Sequence, residues 1–286
     1  MLFGLLTALF WGVTDFLIKL LGGRLSLKSS LVWTQGASAL AVLALVLAGG
    51  RLPLAGLPPS VLPMLLAVAV TNAFGLGLLY AAFQNGRVAV VAPVIGSYAI
   101  VATAIGMATG TEAVSAPLLV TLAVISAGAM LVMLESGGDG GLRPRAGAAA
   151  AAGSALFSGL SIWLAAVHVL PTTPVADVLF ANFALLAIAA ALWPAGRIER
   201  PVGRVTWAII LGIAAGCVAG YGFYNVGLAR GGIAVVSVLA TLSSAVTTLL
   251  AAAVLKEQVR GIQRLGLTIV LLGLPLLALI REMPAG

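Results

Sequence analysis

Charge is scarce in this chain. Asp, Glu, Lys and Arg make up 8% of its 286 residues, where a soluble domain carries about a quarter. Hydrophobic residues make up 62%, and the mean hydropathy is +1.18. No soluble core needs that much apolar surface, so the solvent around it is a lipid bilayer. Cysteine is nearly absent as well. Cys217 stands alone inside an apolar stretch, which excludes a disulfide within the chain and a thiolate metal site. Histidine is represented by His168 alone, too little for a metal site or a proton relay. There is no phosphate loop, no zinc-ligand spacing and no catalytic triad. Ser158 and His168 do not share a helix face within reach of each other, which argues against an intramembrane enzyme. The expectation is a protein without cofactor, metal or catalytic residues.

Long apolar stretches are abundant. Ten of them fall at about 2–21, 29–49, 60–83, 87–109, 115–134, 146–168, 174–193, 205–228, 232–255 and 262–281. Helix breakers separate them: Gly22-Gly23, Gly49-Gly50, Pro58-Pro59, Gly137-Gly138 and Pro171 to Pro174. Ten spans of roughly 20 residues leave no room for an extramembrane domain. In lipid each span must satisfy its own backbone, so the expected class is all-α. The first stretch lacks a basic leader and a cleavage pattern, and is read as a retained helix.

The second five spans repeat the first five. At an offset of 145 residues, Gly75 to Tyr80 (GLGLLY) meets Gly220 to Asn225 (GYGFYN). Gly86 to Val91 meets Gly231 to Val236, Glu112 meets Glu257, and Gly128 meets Gly273. Ala8 to Gly12 (ALFWG) meets Ala155 to Gly159 (ALFSG) at an offset of 147. Five is odd, so the second repeat enters the membrane from the opposite side. The expected plan is two inverted five-helix repeats, 1–138 and 139–286, forming one membrane unit, with alternating access by rocking one half against the other around a midplane site.

A net charge of +7 does not indicate nucleic acid, because Lys and Arg are scattered through short loops. With ten spans, the side bearing the termini holds only Arg51, Arg230 and Arg281 of the 15. The positive-inside rule then puts both termini outside the cytoplasm.

Polar groups within the spans are the functional candidates. Asp15 is the acid deep in a span, with Lys19 at i+4 as an ion-pair partner; its alternative role is binding or coupling. Asp177 opens the seventh span, where a carboxylate offsets the helix dipole. Glu112 and Glu257 sit where a carboxylate caps a helix start. Asn72 and Tyr80 on the third span, and Tyr221 and Asn225 on the eighth, give both repeats a polar and aromatic stripe. Trp11, Tyr98 and Trp163 add aromatic surface, while Trp33, Trp193 and Trp207 suit the interface belt. The ninth span is rich in hydroxyls from Ser237 to Thr248, with Ser244 as its candidate contact. Pro93 invites a kink. Gln35 and Asn182 need partners on neighbouring helices. Gly212, Gly216 and Gly220 line one face of the eighth span for close packing.

These residues resemble the drug/metabolite transporter superfamily, and within it the ten-helix EamA-type exporters. The resemblance rests on Leu9 to Gly12 (LFWG), the Gly-x-Ala-x-Val-type starts of spans four and nine, and Glu112 with Glu257. Tyr224 to Leu228 followed by Gly231 is similar to YddG-type aromatic amino-acid exporters. The resemblance implies a secondary transporter in a bacterial-type inner membrane, exporting aromatic or apolar amino acids by alternating access. A multidrug, purine or other metabolite transporter is the alternative. It implies a small-molecule substrate and the bilayer as partners, and is compatible with a monomer. Two departures stand out. The family keeps its termini in the cytoplasm, against the charge count. Its four-helix relatives carry a coupling glutamate where alignment on Lys19 places Trp11, so that role does not transfer to Asp15.

Overall fold

The computed structural model describes residues 1–85, 94–133, 144–255 and scattered positions between 261 and 276. All regular structure among them is helical. In chain order the helices are α1 (Leu2–Gly22), α2 (Leu27–Ala48), α3 (Leu62–Asn85), α4 (Tyr98–Ala108) and α5 (Ala116–Met133). They continue with α6 (Pro144–Leu164, ending in a π turn over Ala165–Val169), α7 (Val175–Leu192), α8 (Arg204–Gly231), α9 (Ile233–Ala240) and α10 (Ser243–Leu255). Six helices are long and apolar enough to cross a membrane: α1, α2, α3, α6, α7 and α8. The others described are shorter apolar helices.

The fourth and ninth expected spans are interrupted. The ninth, expected as one helix over 232–255, breaks at Thr241–Leu242 into α9 and α10. Thr241 Oγ1 bonds the carbonyl of Val238 at 2.7 Å, and its N–H is shared between Ser237 O at 3.1 Å and Val238 O at 3.2 Å. Leu242 N reaches back only three residues, to Leu239 O. Such i−3 bonding by a hydroxyl residue tightens the turn and breaks the α ladder. The fourth span does the same at Ser97, whose Oγ and N–H both bond Val94 O, at 2.6 and 3.2 Å. Ser97 and Leu242 are 145 residues apart, the offset of the repeat. Pro93, expected to kink this span, lies outside the described residues, as does Glu257.

The main helix pairings join the two halves of the sequence: α3 with α6, α1 with α8, and α2 with α7. Individual contacts recur at equivalent positions. Thr7 Oγ1 donates to Gly220 O at 3.4 Å, and Ser154 Oγ to Gly75 O at 2.8 Å. A Cβ on Gly12 would collide with Val246 and the carbonyl of Ser243. One on Gly159 would collide with Val101 and the carbonyl of Tyr98. Gly128 abuts Ile269, and Gly273 abuts Ile125. Each first-in-half helix therefore sits on the other half's interrupted helix. The expected close approach of α8 is made to α1, where Gly212, Gly216 and Gly220 face Leu17, Thr14 and Trp11.

This packing gives a direct test. Gly12→Val and Gly159→Val are each expected to destabilise the protein by about 1–3 kcal/mol, and by similar amounts. Gly36→Val, with nothing within 4 Å of its Cβ, is expected to be near neutral. Thermal unfolding in detergent measures all three; a neutral Gly159→Val beside a damaging Gly12→Val would break the equivalence.

Two carboxylates tie loops at the end of the bundle bearing the N-terminus. Asp177 is fully buried and takes Arg51 Nη2 at 2.7 Å and Leu54 N at 3.0 Å. Offsetting the helix dipole is thus a minor part of its role, because the α2–α3 loop brings a cation onto it. Glu112 accepts the N–H groups of Ile233 and Ala234, both at 3.0 Å. The expected capping is made, but the helix capped is α9, from the other half. At the opposite end Trp33 Nε1 donates to Glu199 O, and Trp33 packs edge-on to Trp207 at 5.4 Å.

Candidate functional site

A cavity of about 80 Å³, open at its mouth, lies among α1, α3, α4, α6, α8 and the α9–α10 break. Its wall runs on α1 from Trp11 to Ile18 and on α3 from Asn72 to Phe83. It therefore extends from the middle of the bundle toward the end where α1 stops. Fourteen of its lining residues form seven pairs at the repeat offsets: Trp11 with Ser158, Asp15 with Ile162, Asn72 with Cys217, Leu76 with Tyr221, Leu79 with Tyr224, Gly96 with Thr241, and Tyr98 with Ser243. Both helix interruptions thus open onto the cavity. The frame is shared by the two halves, and the side chains on it are not.

Trp11 is the centre of the wall. Its ring lies 4.9 Å from Tyr221, 4.9 Å from Tyr224 and 6.3 Å from Tyr98. Gly220 makes room for it, since a Cβ there would meet the indole at 2.5 Å. Tyr224 and Tyr98 are anchored at their hydroxyls, to Ser237 Oγ at 2.7 Å and to Ser237 O at 3.3 Å. Three polar atoms of the wall, Trp11 Nε1, Thr14 Oγ1 and Asn72 Nδ2, are buried with no hydrogen-bond partner among the described residues. Buried polar atoms are normally satisfied, so these three are polar groups that the described residues leave without a partner.

Asp15 also lines the cavity, half-buried. The expected ion pair with Lys19 is not made. Lys19 is exposed near the end of α1, where a long stem lets a charged head leave an apolar zone. The ion pair among the described residues is Arg51 with Asp177. Asp15 has no hydrogen bond to any described residue, and no Lys, Arg or His is among the described lining residues.

Of the sequence candidates, Trp11, Asp15, Asn72, Tyr98 and Tyr221 come together in this cavity. Tyr80, Trp163 and Asn225 do not line it. Tyr80 turns toward α2, where its hydroxyl meets Thr34 Oγ1 at 3.1 Å and Gln35 Nε2 at 3.4 Å. Trp163 faces the N-terminal end, with Nε1 on Thr111 Oγ1 at 3.1 Å and its ring against His168. Asn225 bonds its own helix, at Tyr221 O. The side chain of Ser244 lies outside the described residues. Sequence reasoning missed Thr14, Ser158, Cys217 and Tyr224, while Thr241 and Ser243 belong to the hydroxyl-rich stretch it marked on the ninth span. The repeat offset held the signal for several: projecting Asn72 gives Cys217, Trp11 gives Ser158 and Tyr98 gives Ser243.

A helical membrane protein with a central, partly polar cavity has the architecture of a membrane transporter. The comparisons give the class. Residues 145–279 match the EamA-like transporter family, which indicates a membrane transporter of the drug/metabolite superfamily. One solved crystal structure is similar over 99% of this chain and 98% of its own, with a TM-score of 0.79 and 20% sequence identity. At that identity the likeness is one of fold alone. A search of curated proteins finds no significant match.

Proposed function

We propose that the chain is a secondary transporter exporting small metabolites, with aromatic or apolar amino acids as the substrates the cavity suits best. The observation that carries this is the cavity itself. It pairs a cluster of four aromatic rings with unpartnered donors at mid-depth, the combination of apolar walls and few polar contacts that small-molecule sites use. The equivalent contacts of the two halves, and the paired interruptions, support a ten-helix architecture of two inverted repeats, 1–138 and 139–286.

Alternating access around this cavity does not divide at the sequence boundary. The halves interlock through α1–α8, α3–α6 and α2–α7, so parting them would expose every main interface. The moving bodies are mixed bundles, and the interruptions at Ser97 and Thr241–Leu242 are their hinges. The charge bias supports an orientation with the positive-rich end in the cytoplasm of a bacterial-type inner membrane, and the cavity runs toward that end.

The test is transport of labelled phenylalanine, tryptophan, leucine, adenine and a lipophilic cation in proteoliposomes, with and without a pH gradient. Movement of the aromatic amino acids above empty liposomes supports the reading; movement of adenine alone would replace it with the purine reading. Orientation is tested separately. A cysteine added after Gly286 is expected to react with an impermeant maleimide in intact cells, while buried Cys217 stays silent. Reaction only after lysis would put the termini in the cytoplasm.

A further inference from the structure

The geometry points to Asp15 as the anchor for a cationic group, so that the cavity selects molecules carrying an ammonium and rejects acids that lack one. This rests on the reading of the cavity as the substrate site and adds the charge of what it takes.

The first argument is symmetry. Asp15 and Ile162 occupy equivalent positions in the two halves, and both line the cavity. The same frame accommodates isoleucine at one position, so the fold does not require an acid at the other. The second is isolation. The carboxylate has no hydrogen bond or ion pair to a described residue, and its expected partner Lys19 is exposed and unpaired with it. An unpaired acid inside a membrane span is costly and marks a binding or transport role. The third is the surroundings. Asp15 stands one helical turn from Trp11, and the rings of Trp11, Tyr98, Tyr221 and Tyr224 share its cavity. Aromatic faces attract cations, more strongly where water is excluded. Trp11 Nε1 and Asn72 Nδ2 could receive a carboxylate, but the described wall carries an acid, Asp15, and no Lys, Arg or His. An acid without an ammonium therefore meets repulsion, and a zwitterion is accepted through its amine.

The experiment measures binding to the full-length protein in nanodiscs by isothermal titration calorimetry at one pH, with empty nanodiscs subtracted. The ligands share one ring and differ in charge: phenethylamine, 2-phenylethanol and 3-phenylpropionate. Phenethylamine is expected to bind at least about tenfold tighter than either of the others. Asp15→Asn should bring it within about threefold of 2-phenylethanol, while Asp15→Glu should keep the preference. Equal binding of the three ligands to the parent, or a preference for the acid, overturns the inference without need of any variant. So does an Asp15→Asn protein that keeps the preference, including one in which only the pH dependence of transport changes. If no ligand binds and Trp11→Ala alters no transport, the cavity reading itself falls and takes this inference with it. Ligands that bind regardless of charge leave the cavity reading standing and remove only the role of Asp15.

Discussion

Trp11→Ala is expected to lower export of phenylalanine and tryptophan by about tenfold or more per folded molecule. The indole is the shared partner of Tyr98, Tyr221 and Tyr224, at 4.9–6.3 Å. Ring pairs of this kind are worth about 0.5–1.5 kcal/mol beyond area burial. Deleting the central ring removes a stacking surface for the substrate and also frees the tyrosines that lean on it. It removes a buried N–H donor at the same time. Tyr80→Phe and Trp163→Phe are the controls, because both rings lie outside the cavity, and their export should stay within about twofold of the parent. The measurement is export from expressing cells, normalised to protein that elutes as one gel-filtration peak. Parent-level export by Trp11→Ala would mean that substrate does not pass this cavity.

The second large effect is on stability. Arg51→Ala is expected to destabilise the protein by about 3 kcal/mol, the low end for breaking a buried pair. Asp177→Asn should cost only about 1 kcal/mol. The asymmetry follows from exposure. The Asp177 side chain is 0% exposed and that of Arg51 is 46% exposed. Without Arg51, a buried carboxylate keeps only the Leu54 N–H. Without the charge on Asp177, the guanidinium turns to water and the amide oxygen still accepts from Leu54. Thermal unfolding in nanodiscs gives the order. Equal costs, or the reverse order, would show that the pair is not desolvated in the membrane-embedded protein.

The sequence by itself determined the class and the frame. Low charge and long apolar stretches force helices in lipid, since an unpaired backbone has no water to turn to. Six of the expected spans are helices long and apolar enough to cross a membrane. Self-similarity at offsets of 145 and 147 marked residues that make equivalent contacts, because repeated backbone positions meet repeated partners. Local chemistry was legible where it acts within one helix or at its start: the glycine face of α8 and the capping role of Glu112 are examples. The direction of a polar side chain was not legible. Asn72 and Tyr80 lie on one stripe of α3, yet one faces the cavity and the other faces α2, because a helix inside a bundle has neighbours on several sides. Asp15 and Lys19 are correctly spaced for a pair, yet Lys19 reaches the helix end while Asp15 lines the cavity. Asp177 sits in a first turn, where the dipole alone would explain it, until the fold brings Arg51 from 126 residues away. Which helix Glu112 caps, and where spans four and nine break, likewise depend on packing between the halves. Periodicity and composition act along the chain and are written in it. Partner choice is settled only when helices from both halves close around the same space.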